Sequence, residues 1–235
     1  MLGLACSILL SGKSSMKRKF IIAALVGLGL LAAIPLAWSE VFPSYTWRYK
    51  ITVNVETPEG LKSGSAVREV TNRDNTILGV KFPEAGARIS KVKGEAVVID
   101  LGKRGVLFGL IDHDSYRELY SAFSVRDPSN TSDDFHKLDL GMKADLNIDR
   151  PKIITFKDMN DPKSIEIVYQ QKMGSYIGKV LDVDDNFEKL FGAGVVLKSI
   201  SIEITGEKIT WGKIHGYLGK LHSVGPYEFV QGAEK

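Results

Sequence analysis

The sequence predicts a mainly β fold, an antiparallel sandwich or partly open barrel with two short helices, preceded by one N-terminal transmembrane or signal helix. Three observations carry this. Apolar and polar residues alternate with period two in several segments between residues 47 and 205. Clusters of Gly, Pro, Asn and Asp recur at short intervals between them, as antiparallel hairpins require and parallel crossovers do not. Residues 20–38 read FIIAALVGLGLLAAIPLAW, 19 residues without a charge, close to the ~20 that a helix needs to cross a bilayer core.

The elements follow in order. Residues 1–19 form a cytoplasmic tail or n-region ending in Lys17, Arg18 and Lys19, and no further basic residue follows until Arg48. That asymmetry keeps the N-terminus in the cytoplasm and delivers the rest to the far side. Residues 20–38 are then a retained anchor in the inner membrane or the apolar core of a signal peptide. Ala37 and Ser39 suit cleavage before Glu40; the length of the run and Trp38 at its end suit an anchor. Either way residues 41–235 are exported as one β-rich domain, with a sub-boundary in the polar stretch near 124–134 as the alternative.

Within that domain, residues 47–57 alternate, with Trp47, Tyr49, Ile51, Val53 and Val55 on one face. Pro58-Glu59-Gly60 turns the chain into a second strand over 64–71, and Ser63-Gly64-Ser65 at its start suits a bulge or a close backbone approach. Strands are predicted over 76–82 and near 88–92. Residues 95–101 and 106–111 form a hairpin around Gly102 to Gly105, and its nearly continuous apolar strands point to cover on both faces. Tyr116, Leu119, Tyr120 and Phe123 are spaced for a helix, with Ser115 and Glu118 as a capping box. Further strands are predicted near 143–148, 152–156, 165–169 and 195–205, and an edge strand over 208–211. A short helix spans 186–191, stopped by Gly192. The glycine-rich tail from residue 212 is expected to be partly loose.

Three segments in this order, WRYKITVNVETPEGLKSGSAVREV (47–70), ITFKDMNDPKSIEIV (154–168) and FEKLFGAGVVLKSISIEIT (187–205), resemble a family of uncharacterised exported or membrane-anchored proteins of Gram-negative bacteria. The resemblance implies location and architecture, and no mechanism. The chain departs from the family pattern in residues 170–182 and at its C-terminal end.

Charge and motifs narrow the function classes. Four of the 31 basic residues and one of the 28 acidic ones precede residue 41, leaving the exported part without net charge. No basic stripe with interleaved aromatics exists, which argues against nucleic acid. No glycine-rich phosphate loop exists, which argues against nucleotide. The single cysteine, Cys6, lies outside the exported part, so thiol catalysis and Cys-type zinc sites have no support there; no cofactor is expected. The loop 157–164 offers Asp158, Asn160 and Asp161 as a candidate ligand- or cation-binding group, although Asn-Asp-Pro is also a strong turn. Asp182 to Asn186 opens like an EF-hand loop but has Phe187 and Ala193 where Gly and Glu belong. Asp112-His113-Asp114 sets an imidazole between two acids without a nucleophile motif.

The expectation is a binding protein of the cell envelope whose partner is another envelope protein. The alternative is an envelope-acting hydrolase or transferase using carboxylates such as Asp112, Asp114 or Asp158. A third reading, carriage of an apolar ligand, needs a closed barrel with a cavity.

Overall fold

The computed structural model describes residues 21, 44–73, 76–77, 80–81, 89–124, 138–174, 179–219 and 222–232. The first seven strands are β1 (Ser44–Thr57), β2 (Gly60–Arg73), β3 (Thr76–Ile77), β4 (Val80–Lys81), β5 (Ile89–Glu95), β6 (Val97–Asp100) and β7 (Val106–Gly109). Then come α1 (Tyr116–Ala122), β8 (Lys143–Asp145), β9 (Ile153–Phe156), β10 (Ile165–Met173), β11 (Val180–Asp185), α2 (Phe187–Phe191) and β12 (Val196–Ile204). The chain closes with α3 (Lys213–Leu218), β13 (Ser223–Val224), β14 (Tyr227–Glu228) and β15 (Val230–Gln231).

Two compact units divide the chain: residues 1–44 with 74–86, and residues 45–73 with 87–235. In the first, β3 and β4 pair as a small antiparallel hairpin where the sequence predicts one strand over 76–82. The segment 22–38 and nearly all of the stretch near 124–134 lie outside the described residues. Among the described residues no helix is long and apolar enough to cross a membrane.

The second unit is mainly β. One sheet has six strands in the order β15-β5-β2-β1-β12-β8, and the other has five in the order β11-β10-β9-β7-β6. β1 pairs antiparallel with β12 from Tyr49 opposite Ile204 to Glu56 opposite Val196. The alternation of β1 explains its place at the centre: Tyr49, Ile51, Val53 and Val55 are fully buried, while the intervening side chains stay half-buried. From β12, Ile200, Ile202 and Ile204 join them. They meet Val97, Ile99, Leu107, Ile153 and Val168 of the five-stranded sheet in one apolar cluster. The space between the sheets is therefore filled with side chains, and no closed barrel forms among the described strands.

The opposite face of the five-stranded sheet carries a second cluster: Ala96, Val98, Phe108, Leu110, Ile154 and Phe156, sealed by Ile214 and Phe229. Phe108 meets Phe156 and Phe229 edge-on, with ring centroids 5.7 Å apart in both pairs. Residues on both faces of β6 and β7 are covered, as their continuous apolar runs require.

This second layer corrects the expectation of a loose tail. The segment after residue 212 supplies a third helix, and Phe229 and Ile214 are almost fully buried. Residues 208–211 form no strand; Thr210 instead pins them to β2, its N–H donating to the Val67 carbonyl (3.0 Å) and its hydroxyl accepting the Val67 N–H (2.8 Å). The buried Glu95 carboxylate accepts the N–H groups of Gly212, Lys213 and Ile214, the last two at 3.0 and 3.3 Å. A carboxylate at the start of a helix satisfies donors that have no partner within it.

Gly64 marks where β2 crosses β6. A Cβ built there would lie 2.1 Å from the Val98 carbonyl oxygen and 2.8 Å from a side-chain carbon of Ile99. The small residues at the start of β2 are thus a crossing point between the sheets. Gly64→Ala is expected to lower stability by about 1–3 kcal/mol through forced backbone movement, read as a lower urea midpoint. Gly206→Ala, which meets nothing within 4 Å, is expected to stay within about 0.5 kcal/mol of the parent.

Candidate functional site

The loop between β9 and β10 uses its polar atoms on itself. The Asp158 Oδ1 accepts the Asn160 backbone N–H (2.9 Å) and its side-chain amide (3.1 Å). The Asp161 Oδ1 accepts the Lys163 N–H at 2.9 Å. The Ser164 hydroxyl sits against the Asp158 and Asp161 carbonyls at 2.8 and 2.7 Å. Asp158, Asn160 and Asp161 therefore stand as a set of side-chain-closed turns. Among the described residues no three His, Cys, Asp or Glu side chains gather closely enough to hold a metal ion.

The EF-hand-like acids do not form a loop either. Asp182, Asp184 and Asp185 lie in β11, and the Asp185 Oδ1 accepts the Phe187 N–H at the start of α2 (3.2 Å). His113 is 83% exposed, 3.5 Å from Asp114, and does not line the nearby cleft.

Asp112 and Asp114 do line that cleft, which has a volume of about 290 Å³. Its walls come from four separate segments: the start of α1, the connection between β8 and β9, the end of β10, and Tyr227 with Glu228. Arg117 contacts Asp149 at 3.2 Å, and Ser121 also donates to Asp149. Arg150 is fixed by the Leu146 carbonyl (2.7 Å), the Tyr169 hydroxyl (3.2 Å) and the Asn147 side chain (3.1 Å). The Lys152 ammonium lies 5.3 Å above the Tyr227 ring. Asp112 closes a turn, accepting from the Asp114 N–H and the Ser115 hydroxyl. Asp158 does not line the cleft. The arrangement offers carboxylates and positioned cations to a small polar ligand.

Beneath the cleft lies the interaction that sequence reasoning missed. Ser115 and Glu118 make no capping box, because the Glu118 side chain turns inward. The Arg68 Nη1 donates to both Glu118 oxygens, at 2.6 and 2.7 Å, and the Tyr49 hydroxyl donates to one of them at 2.8 Å. The Arg68 Nη2 donates to the Gly109 and Leu110 carbonyls, and its Nε to the Glu95 carbonyl. Arg68 and Tyr49 are fully buried and Glu118 is nearly so. Burial pushes the Glu118 carboxyl above its ordinary range, with the Arg68 charge opposing that shift. Burial also works against the Arg68 charge, but Glu118 and Tyr49 outweigh it and hold the guanidinium charged. Burial, then the neighbouring Glu118, raises the Tyr49 phenol well above its usual value. The signal in the sequence was parity: Arg68 shares a strand face with the buried Ala66 and Val70.

The remaining candidate is the outer edge of the five-stranded sheet. Among the described strands β11 pairs with β10 alone. Leu181 and Val183 are 63% and 42% exposed on one of its faces. On the other face Lys172 bridges Asp182 (3.1 Å) and Asp184 (2.9 Å), which raises its own pKa and lowers that of Asp182. The Val183 N–H donates to the Asp182 side chain at 2.9 Å.

Comparison with protein families, with curated proteins and with solved structures finds no match.

Removing one partner of the buried pair leaves the other charge unmatched. Glu118→Gln and Arg68→Met are each expected to cost about 3–5 kcal/mol. The double variant Arg68→Met, Glu118→Leu is expected to cost clearly less than the sum, a coupling readable in a double-mutant cycle by urea unfolding.

Proposed function

We propose that residues 41–235 form a β-sandwich of the bacterial cell envelope that works by binding another protein. It is tethered in the inner membrane through residues 20–38, or is free in the periplasm after cleavage. The apolar leader with its Lys-Arg-Lys flank supports the location, as does the resemblance of three segments to exported Gram-negative proteins.

The observation that carries the binding reading is the edge strand β11. An edge strand presents backbone groups outside the ladder, here with the Val183 N–H held by the Asp182 side chain, and apolar side chains there favour association. Leu181 and Val183 are such side chains, on a strand where Asp182 and Asp184 share the single ammonium of Lys172. The occupant this surface fits is an extended segment of a partner with alternating apolar and basic residues, added as a further strand.

Photo-crosslinking side chains placed at Leu181 or Val183 in intact cells are expected to give a discrete adduct with one envelope protein. The same group at Leu61, exposed to a similar degree elsewhere, is expected to give none. Leu181→Lys with Val183→Lys should weaken capture at least tenfold. No adduct, an equal adduct from Leu61, or an adduct with a cytosolic protein overturns the reading.

One observation favours a second reading, an envelope hydrolase or transferase: Asp112 and Asp114 share a cleft with Asp149, Arg150 and Lys152. On that reading the chain turns over cell-envelope material, and Asp112→Asn or Asp114→Asn lowers the rate at least ~100-fold, the scale of a lost general acid or base. An absence of product from the parent protein removes it.

A further inference from the structure

The C-terminal segment builds a second cleft, of about 510 Å³, bordered by Ile214 and Val230 of the second apolar cluster. Its walls come from β5, the pinned stretch before α3, α3 itself and β15. Volumes of this order accommodate small organic ligands, which such sites hold by apolar walls and a few placed polar groups.

The two kinds of wall are separate here. Ile209, Ile214 and Val230 are apolar, and Trp211 adds an indole that is 44% exposed. Lys93, His215 and His222 supply the polar groups. The stem of Lys93 lies over Gly232, where a Cβ would come within 2.6 Å of the Lys93 Cγ, so a larger residue at 232 would displace it. The His215 Nδ1 lies 2.9 Å from the Gly219 carbonyl. A carbonyl can only accept, so Nδ1 carries a proton and the ring is held by it. The one acid among the described residues of the wall, Glu95, is 3% exposed, and its oxygens are taken by the Gly212, Lys213 and Ile214 N–H groups. The cleft therefore offers a cation and imidazoles beside an aromatic face, with its carboxylate already satisfied.

We propose that this cleft binds a small amphipathic anion, its flat apolar body against Trp211 and the isoleucines and its anionic head at Lys93 and His222, with the His215 ring fixed beside it by Gly219. The inference goes beyond the strand-edge reading and does not depend on it, since no residue of β11 lines the cleft. Apolar burial supplies affinity for the body, and charge-assisted hydrogen bonds select the head.

The test is calorimetric titration of the full-length chain in lipid nanodiscs, with empty nanodiscs as the blank. Phenylacetate is the probe, and phenethylamine, the same ring with the opposite charge, is its control. Phenylacetate is expected to bind saturably, at least tenfold tighter than phenethylamine. Lys93→Met and Trp211→Ala, both at exposed positions, should each weaken it at least tenfold, in line with a lost charged hydrogen bond or aromatic contact. Equal affinity for the two probes overturns the proposal. So does the absence of saturable heat where a Kd of ~1 mM would show, or unchanged binding in both variants. The crosslinking at β11 reads a different surface, so the two results stand independently.

Discussion

Everything in the second unit is arranged around one buried charge. Arg68 sits in the middle of a strand, with no exposure, and an ion in that position must be matched and hydrogen-bonded or the fold is lost. Its partners come from every layer that matters: Glu118 from α1, Tyr49 from β1 through Glu118, the Gly109 and Leu110 carbonyls from the end of β7, and the Glu95 carbonyl from the end of β5. Strand ends seldom find partners for their last carbonyls in an apolar interior. Here the Nε and Nη2 of the guanidinium supply three such bonds, while Nη1 is held by Glu118. The pair need not be worth much in net stability compared with apolar side chains of the same volume. What it does is tie α1 to β1, β2 and the ends of β5 and β7 through one set of hydrogen bonds.

That placement has a consequence at the surface. Fixing α1 also fixes Asp112, Asp114 and Arg117 at its start, and these form one wall of the smaller cleft. The other walls rest on Arg150, whose three hydrogen bonds lock the connection between β8 and β9. The larger cleft is positioned by a parallel device, the Glu95 carboxylate holding the start of α3. In both places a buried carboxylate anchors a short helix that could not persist alone in water.

How much of this could be read from residues alone depended on the range of the interaction. The alternation of β1, the doubly covered β6–β7 hairpin, the stop at Gly192 and the small residues at Gly64 are local patterns, and the structure follows them. Glu118 was misread because a Ser followed three residues later by Glu looks the same whether the carboxylate reaches back to the helix start or inward to an arginine fifty positions away. The tail was misread for a related reason. Ile214 and Phe229 show no period, since they are buried by contact with a sheet formed from other parts of the chain. Neither cleft was legible, because each draws its walls from segments far apart in sequence. The polar loop at Asp158 was legible as a turn, and its hydrogen bonds are those of a turn.

The order of strands in the six-stranded sheet carries a kinetic meaning. β1, the first strand of the unit, closes against β12, and β5 waits for β15, the last element of the chain. Pairings between distant segments form slowly, since the entropy of closing long loops comes before any reward. The early half of this chain therefore has no complete sheet to settle into while the rest is still being made. A polypeptide with that wiring completes its central pairing late, once β12 is available to β1.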